Sequence, residues 1–180
     1  MRTSRLPLLA VAILGTVAVV ARLSAGGASG KPPLAVAPAG PGGAMDLALA
    51  PGLSFTDDSS SAFPIRGKGL ADGRIASDRP TAIFFGTAHC WNTNREAERF
   101  VAFYRKHRDA ARFLVVDLER PSSDQAKLVA RFYRGYIPTL AFLDRKGDVV
   151  YNRAGETARE RGDVSALEEI LERARGNPSP

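Results

Sequence analysis

The chain has 180 residues, 44% hydrophobic and 24% charged, enough for one domain with appendages and a core that needs no cross-links. One cysteine excludes an internal disulfide. Half of the net charge of +6 comes from Arg2, Arg5 and Arg22 in residues 1–25, and the other charges are interspersed, so nucleic acid is not the expected partner.

Met1-Arg-Thr-Ser-Arg5 is a short positive segment, and Leu6 to Ala21 is an uncharged, mostly apolar run of sixteen residues. Arg22 to Ala28 then offers small residues, with cleavage possible after Ala25 or Ala28. This is the layout of a secretory signal peptide. The run is short for a spanning helix, which needs about 20 residues. Arg22 nevertheless keeps an uncleaved anchor open. No cysteine lies near residue 20, which excludes a lipoprotein anchor. Residues 1–25 are therefore a signal peptide or N-terminal membrane anchor, the only expected membrane contact. Either reading places the rest outside the cytoplasm, periplasmic or secreted, in an oxidising compartment.

Residues 26–62 are rich in Gly, Ala, Pro and Ser and are expected to be a flexible linker. The folded domain is assigned to residues 63–176, and 177–180 to a tail. The Gly-containing stretch 67–79 is ambiguous, with a short helix expected around Gly69–Ala76.

After Pro80 the signals sharpen. Thr81–Phe85 is a short apolar run between Pro and Gly, a buried strand. Asn92 to His107 carries Ala97, Phe100, Val101 and Tyr104 at helical spacing. Arg112–Leu118 is a second strand. Ser122 and Gln125 form a capping box for a helix with Leu128, Val129 and Phe132 on its core face, and Gly135 can end it. Thr139–Leu143 is a third strand, Asp144–Gly147 a turn, and Asp148–Tyr151 a fourth strand of a hairpin. Ser165 and Glu168 read as a second capping box, Leu167, Ile170, Leu171 and Ala174 as the apolar stripe, and Gly176 as the stop. Strands joined by helical crossovers, then a hairpin, predict an α/β fold: a mixed central sheet with helices on both faces.

Three segments resemble the thioredoxin-like superfamily over roughly residues 68–175. Ile83-Phe-Phe-Gly-Thr-Ala-His-Cys90 ends a strand with a cysteine where thioredoxins begin Cys-x-x-Cys. Gly135-Tyr-Ile-Pro-Thr139 resembles the family's Gly-x-x-Pro-Thr segment, whose proline is cis. Phe142 to Val149 resembles the hairpin that follows, and the acidic strand end 115–118 also fits. With its N-terminal segment the chain looks like an extracytoplasmic bacterial thioredoxin-domain protein. Two departures matter. The second motif cysteine is Thr93, giving Cys-x-x-Thr. The buried acid expected six residues before the cysteine is Phe84.

A cysteine at a helix N-terminus faces unpaired N–H groups and the positive end of the dipole, which favours the thiolate. Thr93 lies one turn on, where its hydroxyl could donate to the sulfur, and His89 is adjacent. Cys90 and Thr93 are thus the candidate catalytic residues. Ile137, Pro138 and Trp91 are the candidate substrate-binding residues, since the resemblance implies that the proline loop faces the thiol and that Ile137 could pair with an extended peptide. A single thiol can form a mixed disulfide, but its release needs an external thiol. The expected partners are secreted or membrane proteins with thiols or disulfides, or an external thiol; no cofactor is expected. His89 and Cys90 are consecutive and no carboxylates have ligand spacing, so no metal site is expected. Two alternatives stay open. The fold could be a binding module, with Trp91, Tyr136 and the Pro138 loop as a docking patch and Cys90 inert. Thr87, three residues before the thiol, is also the peroxiredoxin arrangement, but Ile83 stands where that family has proline.

Overall fold

The computed structural model describes residues 45–155 and 161–176 and the backbone of 36–37, all within one compact unit, residues 33–180. The expected signal or anchor segment and the C-terminal tail lie outside the described residues. No helix among the described residues is long and apolar enough to cross a membrane.

Four two-residue strands make two small ladders. β1 (Val36–Ala37) pairs in parallel with β4 (Ile75–Ala76), and β2 (Ala48–Leu49) pairs antiparallel with β3 (Ile65–Arg66). The main sheet is built from β5 (Thr81–Gly86), β6 (Arg112–Asp117), β7 (Thr139–Leu143) and β8 (Val149–Ala154), in the order β6-β5-β7-β8. β5 runs parallel to β6 and antiparallel to β7, and β7 and β8 form the expected hairpin. The sheet is therefore mixed.

Successive strand side chains point to opposite faces. Ala82, Phe84, Phe113, Val115, Leu140 and Phe142 face one core, shared with α1 (Trp91–His107) and α3 (Ser165–Arg175). Ile83, Phe85, Leu114, Val116, Ala141 and Leu143 face the other, shared with α2 (Ser123–Phe132). Helices thus cover both faces, and all of β5 is buried. A strand with two covered faces has to be apolar throughout, which is why it reads as a run rather than an alternation.

The helix ends show which local signals hold. At α2 both halves of the capping box are present: Ser122 Oγ accepts from Gln125 N–H, and Gln125 Oε1 accepts from Ser122 N–H. Gln125 is buried, and its Nε2 also donates to the carbonyls of Val115 and Leu70. This one side chain ties α2 to β6 and to the segment before β4. At α3 the expected box does not form. Val164 is the N-cap, Ser165 is already helical, and Asp163 Oδ1 accepts from both Ser165 N–H and Ser165 Oγ. Gly176 closes α3 with φ of 86°, a conformation that favours glycine. α2 ends at Phe132, before Gly135.

Two expectations are corrected. The stretch Gly69–Ala76 is not a helix: a turn at Gly69–Asp72 leads into β4. Gly73 there packs so closely on the Asp124 backbone that a Cβ would lie 2.6 Å from its carbonyl carbon, which glycine alone avoids. The assigned linker, 26–62, is structured from residue 45 onward. Leu47 is 2% exposed and belongs to the α1/α3 core, and Ala50 N–H donates to Pro64 O. Composition missed this because a single anchoring leucine hardly alters a Gly/Ala/Pro-rich average.

Leu47→Ala should therefore lower the unfolding free energy by about 2–5 kcal/mol, as for other buried leucines. Chemical denaturation measures it; a change near zero would return residues 45–50 to the linker.

Candidate functional site

β5 carries the chain to the end of the sheet, where Gly86 O accepts from Leu118 N–H at 2.9 Å. A turn follows in which His89 is exposed and takes φ of 53°. That conformation is unusual for a residue with a Cβ, and here the His89 N–H reaches Ser60 O at 3.2 Å. Cys90 comes next. It is the N-cap of α1, partly exposed, in extended geometry with φ −141° and ψ 109°, and its side chain caps nothing. Its carbonyl accepts from Asn94 N–H at 3.0 Å. The first turn of α1 holds no acid.

The missing cap is supplied from elsewhere in the chain. Asp58 Oδ1 accepts from Trp91 N–H at 2.9 Å, across 33 residues. Asn94, fully buried, donates from Nδ2 to Ser54 O at 2.6 Å and to Ser60 Oγ at 3.0 Å. Ser60 Oγ also accepts from Ser54 N–H at 2.6 Å. Residues 54–60 are thus pinned onto the start of the thiol-bearing helix. Hydrogen bonds from Ser59, then from Ser54, hold the Asp57 carboxyl below the usual carboxylate range. Nothing local in the sequence announces these contacts. The only hint is Asp57-Asp-Ser-Ser-Ser61, which composition assigns to the linker.

Thr93 is fully buried, but its hydroxyl makes no hydrogen bond among the described residues, so the expected donation to the Cys90 sulfur is not formed. Its methyl explains the orientation. A Cβ on Gly86 would lie 2.5 Å from Thr93 Cγ2 and 2.8 Å from the Phe84 ring. Thr93 is therefore packed methyl-first against the end of β5. Phe84, at the position of the family's buried acid, is fully buried between Phe63 and Phe100, with ring centroids 6.4 and 5.5 Å away. No acid can act there.

The Ile137–Pro138 bond is cis, as the resemblance implies. Pairing of Phe85 with Thr139 places this loop at the same end of the sheet as Gly86, the start of the thiol turn. Thr139 Oγ1 donates to Tyr136 O at 2.6 Å, and Pro138 O accepts from Gly155 N–H at 2.6 Å. Pro138 is buried and Ile137 half-buried, while Tyr136 is 71% exposed. Trp91 is half-buried, with the Arg95 guanidinium 5.5 Å from its ring centre. His107 is remote, at the other end of α1, where Nε2 meets Glu168 Oε1 at 3.1 Å and holds the Glu168 carboxyl below its usual range. A cleft of about 400 Å³ opens beside the end of β6, lined by Phe63, Ile65, Leu70, Val115 and Arg120 among others; Cys90 is not part of it.

The strand order, the face each helix covers and the cis-proline before β7 define a thioredoxin-like fold with one thiol at the start of α1. No protein-family model and no curated protein matches the chain. Solved thioredoxin-fold structures do. The germline-specific thioredoxin Deadhead of Drosophila melanogaster is 20% identical over 53% of this chain and 81% of that one, with a TM-score of 0.41. Thioredoxin O2 of Arabidopsis thaliana is 20% identical over 53% and 74%, with a TM-score of 0.41. StoA of Bacillus subtilis is 19% identical over 51% and 81%, also at 0.41.

Gly86→Ala should destabilise the domain by about 1–3 kcal/mol through overpacking. Thr93→Ser, which removes the facing methyl, should recover part of that loss in the double variant. Strictly additive effects in denaturation would mean that the two residues do not press on each other.

Proposed function

We propose that this chain is an extracytoplasmic thioredoxin-fold protein that exchanges or captures disulfides through the single thiol of Cys90. The observation that supports it is the placement of Cys90: partly exposed, at the N-cap of α1, on the same end of the sheet as the cis-Pro138 loop. The Cys90 thiolate attacks one sulfur of a partner disulfide. A new S–S bond forms, the old one breaks, and the departing thiolate takes up a proton. Because Thr93 replaces the second thiol, nothing in the chain can resolve the adduct. An external thiolate must attack it, leaving with the bound sulfur as a disulfide and returning Cys90 as thiolate. Ile137 and Pro138 would form the peptide-binding wall, with Trp91 beside the thiol. Partners of this kind are secreted or membrane proteins, in keeping with the signal or anchor pattern of residues 1–25.

A second reading is a non-catalytic docking module. The exposure of Tyr136 favours it, since a large aromatic left in solvent beside a rigid loop is a common anchor in interfaces. Cys90→Ser separates the two: docking survives it, and thiol capture does not.

At neutral pH, oxidised glutathione should add one glutathionyl group at Cys90, seen by mass spectrometry, and excess glutathione should remove it. An unreactive Cys90 in the folded chain would overturn the catalytic reading. Thr93→Cys should convert the adduct into an internal disulfide, because residues one helical turn apart are close enough to bridge. The adduct should then fail to accumulate.

A further inference from the structure

We propose that residues 54–60 are a built-in restraint on the thiol, with the Asp58 carboxylate holding the helix end that a Cys90 thiolate would otherwise use. The inference rests on reading Cys90 as the reactive group. Unpaired N–H groups and the dipole give a helix N-terminus a partial positive charge, and an anion placed there is stabilised. Cys90 at the N-cap and Asp58 from the loop compete for that field. Asp58 already accepts the Trp91 N–H, the amide directly after the thiol residue. Two negative charges at one helix end repel each other, so a bound Asp58 slows attack by a Cys90 thiolate.

The loop is held firmly enough to act this way. Ser60 is 3% exposed, and its Oγ accepts both Ser54 N–H and the side chain of the fully buried Asn94. Asn94 also donates to Ser54 O, and Ser60 O takes the N–H of His89, the residue before the thiol. One polar cluster thus joins both ends of the loop to both sides of Cys90. Asp58 itself stays exposed, so it can leave the helix without disturbing the core. The other charged groups near the start of α1 are Asp57 in the loop, His89 in the turn, and Arg95, Glu96, Glu98 and Arg99 on the helix, with Arg161 paired to Glu98; among the described residues only the Asp58 side chain accepts a backbone N–H of the first turn. A partner that draws the loop away would remove the competing charge and expose the helix end in one step. The restraint therefore couples docking to reactivity.

The test is the alkylation rate of the full chain with iodoacetamide, a neutral reagent whose approach does not depend on the charge at residue 58. Cys90 is the only thiol, so the rate reports it alone. Asp58→Asn keeps an oxygen acceptor for Trp91 and removes the charge. It should react about two- to fivefold faster than the wild type near pH 7. Asp148→Asn, in the exposed hairpin turn, should leave the rate unchanged. Salt near 1 M, where the screening length is about 3 Å, should speed the wild type and leave Asp58→Asn nearly where it was. Equal rates for wild type and Asp58→Asn, including no reaction in either, overturn the proposal, as does an acceleration by salt that is the same in both. The catalytic reading fails separately. If Asp58→Asn alkylates faster but neither protein forms an adduct with oxidised glutathione, the restraint stands and disulfide exchange does not.

Discussion

β5 is the strand on which the rest depends. Its six consecutive buried residues pair with β6 on one side, the first five of them pair with β7 on the other, and residues 82–85 feed the two cores in alternation. No polar side chain fits on such a strand unless it finds a partner. Thr81 shows the rule: its hydroxyl accepts from Ala76 N–H at the strand's first residue. The same constraint governs the position of Phe84. A buried carboxyl there would need a proton or a charge partner in a layer made of aromatic rings. Phe84 instead packs edge-on against Phe63 and tilted against Phe100, so this position of the strand holds no acid.

The end of β5 also decides how the thiol helix begins. Gly86 leaves room for Thr93 to press its methyl inward, and in that packing its hydroxyl makes no hydrogen bond to the sulfur. The first turn of α1 is thereby left with a cysteine as N-cap, no local acid and no local hydroxyl bond. A helix end in that state has N–H groups to satisfy. Asp58 meets part of the need from a distance, and the Asn94 side chain ties Ser54 and Ser60 to the same turn, which is why a segment poor in apolar residues packs here. The cap of α1 and the order of residues 54–60 are two sides of one set of bonds.

The legible parts of the sequence were those in which the physics is local. Ser122 and Gln125 lie within one helical turn, so their capping box could be read from spacing, and it formed. The apolar run of β5 and the helical stripe of α1 likewise state their own periods. Leu47 and Asp58 act on partners far along the chain, and no window of sequence contains both halves of either contact. The two-residue strands β2 and β4 are too short to show a period. Ser165 failed for another reason: Asp163, two residues earlier, captured its hydroxyl and amide, and the helix began one residue sooner at Val164. At the site, the position of Cys90 followed from the strand-to-helix pattern and the cis bond at Pro138 from the family resemblance alone, whereas the packing of Thr93 depended on the absence of a Cβ on Gly86.

Carrying Thr93 where a dithiol motif has its second thiol changes what the first turn of such a helix must do. A dithiol pair can keep its reactive sulfur exposed, because the neighbouring thiol soon releases any adduct. A lone thiol has no such escape: each encounter with a disulfide ends in a covalent complex until another thiol arrives. Wherever disulfides are abundant, that would trap the protein on whatever it met first. Lower intrinsic reactivity, relieved only where a partner docks, is then an advantage. The arrangement around Cys90 would suit this, with an acid on the helix end, a loop anchored on both sides of the thiol, and an exposed Tyr136 at the same end of the sheet. Selectivity would come from the order of events, with docking first and nucleophile release second, rather than from the strength of the nucleophile.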